Sequence, residues 1–435
     1  MGRILLRDEV SVLSDQGFLG LKVSDWRQFS HVKIDFHPRL TILTGANASG
    51  KSTILGILAR HLNWTRQYSS APLRGDRKDR SWSIIGPRRM RKLLEEGNTW
   101  AEIGHLTYAD GNSTTISVPV SGSASREGYD LYLPEQQKVE GVFINSHRAV
   151  SGNYFQVSTI PTVFTDSTQI FEQFTNELRM QWSGSWSGRT PQVALKEALI
   201  AAAVFGGGGN ESVDYNAEAD AIWQGFGKIM SLILPKTMGF IRLRVRVPDI
   251  IVETETGDFI LDDASGGVSA IIEMAWQIFL RSRGHEVFTV ILDEPENHLH
   301  PSLQRELLPS FLEAFPRAQF IVATHSPFVV TATPDSAVYV LDYNAKSRVE
   351  SRQLDYANKS ANADETLQRV LGLSSTLPIW AEDRLSEIID HHLHGSLSTE
   401  SMITLRNELV KIGLEADFPD AVVKILDSNE RRIEG

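Results

Sequence analysis

The chain has 435 residues, 41% hydrophobic and 22% charged, an ordinary globular composition with room for two or three domains and no bias towards disorder. A formal net charge of −11 excludes a surface that is basic throughout, so any nucleic-acid contact must be a local patch. With no cysteine, disulfide frameworks, thiolate zinc sites and cysteine nucleophiles are excluded, which fits a reducing compartment.

At the N-terminus, Asp8 and Glu9 come too early for a signal-peptide core, and the myristoylation pattern is incomplete. No run approaches the roughly 20 apolar residues of a membrane span. The expectation is a cytoplasmic protein without membrane contact.

In chain order, Leu19–Val23 and Val32–Phe36 alternate as half-buried strands do, and Leu40–Leu43 is a short apolar run ending at a glycine-rich turn. A helical pattern follows from Lys51 to about Leu62. The segment from Asn63 to Gly128 is mixed, with Ser113–Val118 strand-like, and Val139–Asn145 reads as a strand. Helical patterning covers Ser167–Leu234, divided by the run Gly206–Gly209, which lacks a following Lys-Ser or Lys-Thr and reads as a loop. Ile241–Ile251 and Phe259–Leu261 are strand-like. Then come a helix over Val268–Arg281, a buried strand over Val287–Leu292, a helix over Pro301–Phe315 and a buried strand over Gln319–Ala323. After Val340 the chain turns polar and reads as helical.

Gly45-Ala46-Asn47-Ala48-Ser49-Gly50-Lys51-Ser52 satisfies the P-loop pattern at every fixed position, between a strand and a helix. Glycines let backbone N–H groups converge on one anion at the positive end of a helix. Gly45–Thr53 is therefore the expected ATP-binding segment, with Lys51 on the β- and γ-phosphates and Ser52 on Mg²⁺. Val290-Ile291-Leu292-Asp293-Glu294 is an apolar strand ending in two carboxylates. Asp293 is expected to hold the Mg²⁺ shell and Glu294 to polarise the attacking water as catalytic base.

Three more segments sharpen the reading. Ala264-Ser265-Gly266-Gly267-Val268 precedes a long helix, Pro295-Glu296-Asn297-His298-Leu299-His300-Pro301 follows the carboxylate pair, and Ala323-Thr324-His325-Ser326-Pro327 closes a buried strand. Together these resemble the ABC-type ATPases of the SMC, RecF and OLD group, over Leu19–Leu62 and Phe240–Leu341. The resemblance implies an α/β fold: a P-loop ATPase head with a mixed sheet, a helical lobe and a C-terminal helical extension. It implies that Ser265, Gly266 and Gly267 contact the γ-phosphate held by a second subunit, that Asn297 lies in the D-loop near that interface, and that His325 is the switch histidine. The signature departs from the family form by lacking its leading Leu and final Gln. Gln156 is the candidate for the Q-loop metal ligand. Arg148 is open between phosphate contact and solvation. For Trp26, Arg27 and Phe29, core packing and surface exposure outweigh contact with a base.

The expected division is 1–165 for the ATPase lobe with the P-loop, 166–239 for a helical insertion, 240–345 for the signature, carboxylate strand and switch, and 346–435 for the helical C-terminal segment. Ser265 lies 214 residues beyond Lys51, a spacing unlike that of transporter ATPases, and no sustained heptads predict a coiled-coil arm. After Leu341 no strand ends in Asp-x-Asp, so no nuclease domain of the OLD kind is expected. Glu365–Ile425 resembles the C-terminal segment of ATPase subunits of the Septu and PARIS anti-phage systems. That implies a homodimer or higher oligomer with an effector in trans, a nuclease or toxin, and no nuclease activity in the chain alone. The alternative is a RecF-like DNA-binding ATPase of recombination and repair. Arg74–Lys92, with eight basic and two acidic residues, is the candidate nucleic-acid patch. Arg242, Arg244 and Arg246 share one strand face, read as exposed sheet. His391-His392-Leu393-His394 has no carboxylate placed to complete a metal shell and reads as plain helix.

Overall fold

In the computed structural model, the described residues are 16–69, 71–72, 82–83, 85, 87–120, 128–148, 154, 156–159, 161, 164–185, 189–207, 213–355, 363–373, 375, 377–393, 398–415, 418–419, 421–423 and 425–426. The chain divides into two compact units, Met1–Thr366 and Leu367–Gly435.

Fifteen strands are present among the described residues: β1 Phe18–Trp26, β2 Phe29–Asp35, β3 Leu40–Thr44, β4 Ala71–Pro72, β5 Trp82–Ser83, β6 Trp100–Tyr108, β7 Ser113–Pro119 and β8 Gly141–Ile144, then β9 Phe240–Arg246, β10 Asp249–Thr254, β11 Phe259–Ile260, β12 Phe288–Asp293, β13 Ala318–Ala323, β14 Ala337–Tyr343 and β15 Val349–Gln353. Ten of them form one mixed sheet in the order β7-β6-β1-β2-β15-β14-β3-β13-β12-β8. From β14 to β8 all neighbours are parallel, and β7, β6, β1 and β2 pair antiparallel. Sequence explains the division. β3, β12 and β13 are buried at every position, as parallel strands covered on both faces must be, whereas β2 alternates buried and exposed residues. The buried Gln319 carboxamide joins the two regions, accepting from Phe18 N at 3.1 Å and donating to Phe18 O at 2.8 Å.

The helices that matter for the site are α1 Lys51–Ala59, α2 Pro87–Glu95, α3 Ser167–Trp182, α4 Pro191–Gly206, α5 Ala217–Ile233, α6 Gly266–Gly284, α7 Pro301–Ala314 and α8 Pro327–Val330. Side chains cap five of them: Asp166 accepts from Gln169 N, Thr190 from Val193 N, Asn216 from Glu218 N and Ala219 N, His300 from Ser302 N, and Ser326 from Val329 N. α3, α4 and α5 follow one another within Ser167–Ile233. None of the described helices is long and apolar enough to cross a membrane.

Four readings of the chain change. The run Ile241–Ile251 is two antiparallel strands, β9 and β10, rather than one. After Val340 the chain is not yet helical: β14 runs on to Tyr343, and β15 inserts beside β2. The C-terminal unit therefore begins at Leu367, not at 346, and the three expected segments before it form one compact unit. The mixed segment before Gly128 holds β6, a nine-residue strand.

Leu367–Gly435 contains α9 Ile379–His392 and α10 Thr399–Lys411. Its core is Leu385, Ile388 and Ile389 of α9, Leu405 and Leu409 of α10, and Leu414, Ala421 and Ile425.

Candidate nucleotide site

The carboxyl ends of parallel strands gather the site, as expected where an open sheet binds phosphate. β3 delivers the P-loop, β12 delivers Asp293 and Glu294, and β13, between them, delivers Thr324-His325-Ser326.

The P-loop turn accepts glycine alone at its two ends. Gly45 has φ +133°, and a Cβ there would lie 2.4 Å from Leu341 O. Gly50, at φ +100°, caps α1, and a Cβ there would lie 2.4 Å from Gln28 Nε2 and 2.5 Å from Phe29 Cζ. Lys51 is 5% exposed and donates to Gly45 O at 3.0 Å and Ala46 O at 3.1 Å. Burial lowers its pKa to about 8, although Glu294, Asp293 and Glu296 pull it upward. The Ser52 hydroxyl donates to Asp293 Oδ1 at 3.2 Å. Burial raises Asp293 to about 6, against the opposing hydrogen bond from Ser52 and with the Glu294 charge adding to the rise. Ser49 Oγ is buried without a protein partner.

Glu294 stands at φ +48°, in the left-handed region that a non-glycine residue seldom adopts. Its backbone N–H donates to Ala323 O at 2.8 Å, which fixes the turn to the next strand. Its carboxylate lies 3.5 Å from His325 Nε2 and accepts from Asn297 Nδ2 at 3.2 Å. His325 Nδ1 is 3.5 Å from Lys51 Nζ. Burial, then the Lys51 charge, lowers the His325 pKa, so the ring is neutral near pH 7.

Two residues that the motifs do not single out hold this group together. Glu296 Oε1 accepts from Thr324 Oγ1 at 2.7 Å, His325 N at 2.8 Å and Ser326 N at 3.2 Å, fastening the switch segment to the turn after β12. Arg148 is buried rather than solvated, and its Nη2 donates to Glu294 O at 3.0 Å, Pro295 O at 3.2 Å and Asn297 O at 3.4 Å. Burial lowers its pKa. Glu296 lies inside the quoted motif, so its signal was a carboxylate three residues past Asp293, in the turn after β12. Arg148 had only its place after β8.

The signature loop sits apart from these contacts. Ser265 is exposed at the start of α6 with no side-chain cap bond, and Gly266 is half-buried. Gly267 is buried, with a Cβ position 3.0 Å from His298 O, so the loop packs on the segment after Glu294. Asp262, in the turn before it, pairs with the buried Lys196 of α4 at 2.5 Å. Gln156 is exposed, and no described contact joins it to Ser52 or Asp293. Trp26 and Phe29 are core residues and Arg27 is exposed. Arg242 and Arg244 are exposed and share Glu253 as partner, at 2.6 and 3.0 Å. Within Arg74–Lys92 the described basic side chains are Arg89, bonded to Glu102 O, and Lys92, 3.9 Å from Glu96. The remaining basic side chains of that stretch, with Gly208 and Gly209, lie outside the described residues.

The donor set suits a polyphosphate with a small divalent cation. Ser52 and Asp293 offer hard oxygens side by side, and a lysine stands in a glycine cradle.

A family model described as "AAA domain, putative AbiEii toxin, Type IV TA system" matches residues 207–331, and one described as "AAA domain" matches residues 21–88. The chain is similar to Septu protein PtuA of Bacillus mycoides, 30% identical over 35% of this chain and 22% of that protein. It is similar to Septu protein PtuA of Bacillus thuringiensis, 27% identical over 33% of this chain and 40% of that protein. A third relative is "Retron Vc95 probable ATPase" of Vibrio cholerae, 38% identical over 13% of this chain and 12% of that protein. The matches thus span well under half the length of these relatives. Among solved structures, the SMC head domain from Thermotoga maritima covers 78% of this chain and 99% of its own, at 16% identity and a TM-score of 0.41.

Proposed function

We propose that this chain, an SMC/RecF/OLD-like nucleotide-binding ATPase of the defence type, hydrolyses ATP between two copies of itself and thereby controls a partner effector, a nuclease or toxin, in anti-phage defence. The observation that carries the reading is the meeting of Lys51, Ser52, Asp293, Glu294 and His325 at the ends of adjacent parallel strands. Gly45–Thr53 would wrap the phosphates, and Ser52 and Asp293 would hold Mg²⁺. That ion, when bound, supplies charge neutralisation on the transferring phosphoryl group. Lys51 leaves the carbonyls of Gly45 and Ala46 for the phosphates. Glu294, oriented by Asn297 and His325, takes the proton of the attacking water. Glu296 and Arg148 keep that carboxylate and the histidine in place.

Exposed Ser265, with Gly266 and Gly267 behind it, opens α6, and the free backbone N–H groups of a helix start suit a phosphate supplied by the facing copy. Asn297 would then lie near the join. The relatives' names place them in a Septu system and a retron, and support an effector supplied by another gene. The test is assembly. Glu294→Gln protein with ATP should run at twice the mass of the same protein carrying Ser265→Arg. Full ATPase activity from a monomer at high dilution would contradict the proposal. For the effector, the chain with Mg²⁺ or Mn²⁺ and ATP should leave DNA and RNA intact, and cleavage should appear when a nuclease or toxin encoded beside its gene is co-expressed.

A further inference from the structure

The C-terminal unit contains a feature that the spacing of its histidines does not reveal. His391 and His392 end α9, their rings 5.3 Å apart and perpendicular. Across from them, Glu408 of α10 brings Oε2 to 3.1 Å from His392 Nε2. One ligand atom from each of His391, His392 and Glu408 lies within 4.8 Å of the other two. The carboxylate missing from the local sequence is thus supplied by a second helix, 16 residues further on.

We propose that His391, His392 and Glu408 form a binding site for a zinc-class divalent cation that clasps α9 to α10. Two imidazoles and a carboxylate are the donors of borderline metals such as Zn²⁺, whereas Mg²⁺ and Ca²⁺ favour oxygen alone. Around Zn²⁺ neighbouring donors stand roughly 3.3 Å apart, given metal–ligand bonds near 2.0–2.1 Å. The present set reaches that by rotating side chains, because His391 is exposed and Glu408 half-buried. The set leaves a fourth position for water or another donor.

The energetics favour such a clasp. The unit spans 69 residues, a size at which an apolar core alone gives modest stability and metals or disulfides commonly assist. Disulfides are ruled out by composition. Without the ion, His392 and Glu408 already meet, so the two helices present the donors in the folded state and binding requires little further ordering.

The test uses the full-length protein, stripped with a chelator and kept in excess Mg²⁺ so that the Ser52–Asp293 oxygens do not compete. Zinc titrated by calorimetry should bind with one equivalent that is lost, or weakened at least tenfold, in both His392→Gln and Glu408→Gln. Cobalt in place of zinc should show the visible bands of low-coordinate nitrogen and oxygen ligation, absent from those variants. If either variant misfolds, His391→Ala decides, since that ring is exposed and its removal leaves the His392–Glu408 contact in place. No bound zinc, or an equivalent unchanged by all three substitutions, would overturn the proposal. So would a His105→Ala control, altering an exposed histidine of β6, that lost the same equivalent.

Discussion

Replacing Glu296 with alanine should separate the architecture of the site from its chemistry. In the native structure one carboxylate oxygen accepts three hydrogen bonds, from Thr324 Oγ1, His325 N and Ser326 N. Ser326 N keeps a second acceptor, Thr324 Oγ1 at 2.9 Å, so the His325 N–H is the donor left most exposed to loss. Orphaning a buried N–H costs about 1–3 kcal/mol, and each of the other lost bonds about 0.5–1.5 kcal/mol. The sum is about 2–6 kcal/mol, towards the lower end where water enters the space. Urea unfolding should register this as a lower midpoint with an unchanged slope. The same loss frees the segment that holds His325 near Glu294, so turnover should fall about tenfold or more while nucleotide affinity changes little. Glu296→Gln keeps an oxygen acceptor, and its new amide replaces Oε2, which has no partner. It should cost about 1 kcal/mol and retain most activity. An alanine variant within about 0.5 kcal/mol of wild type and fully active would refute the clamp.

Lys51→Met should abolish nucleotide binding yet stabilise the nucleotide-free protein near pH 7. Unfolding restores the lysine pKa from about 8 to 10.5, so the folded protein carries a burden of roughly 2–3 kcal/mol below pH 8, offset in part by the lost bonds to Gly45 and Ala46. Because the unfolded chain binds the extra proton between these values, wild-type stability rises with pH there, and the gain from methionine should shrink between pH 8 and 10.5 in urea titrations. Gly45→Ala places a Cβ 2.4 Å from Leu341 O at φ +133°; calorimetry should show ATP affinity reduced at least about a hundredfold. Arg148→Met should take this donor from Pro295 O and Asn297 O, while Glu294 O keeps Asn297 N at 3.2 Å, costing about 1–3 kcal/mol and slowing turnover more than it weakens binding.

The nucleotide site was legible because each fixed residue answers a backbone or charge requirement that survives without tertiary detail. Gly45 and Gly50 take φ values closed to other residues, and Asp293 and Glu294 end a strand too apolar to be anything but buried. The parallel strands were equally plain, as short apolar runs. β15 was not, because Val349 alone among its five residues is buried and the rest face solvent or polar neighbours. β6 carries an alternating pattern broken by a register shift between Glu102 and Gly104, which hid it in a mixed segment. The Gln156 assignment had the weakest signal for a different reason: a lone polar residue after a strand has no spacing partner, and Gln156 is exposed with no described contact to Asp293. Arg148, Lys196 and Glu408 share that obscurity, since their partners lie 146, 66 and 16 residues away and meet them through the fold alone.

The most direct measurement of the central claim is phosphate release from ATP by purified wild-type and Glu294→Gln protein, alongside nucleotide binding by both. Binding within a few-fold of wild type with turnover lost in the variant is the predicted result, since Glu294 is assigned the proton of the attacking water and Lys51, Ser52 and Asp293 the nucleotide. Wild-type turnover in Glu294→Gln would contradict it.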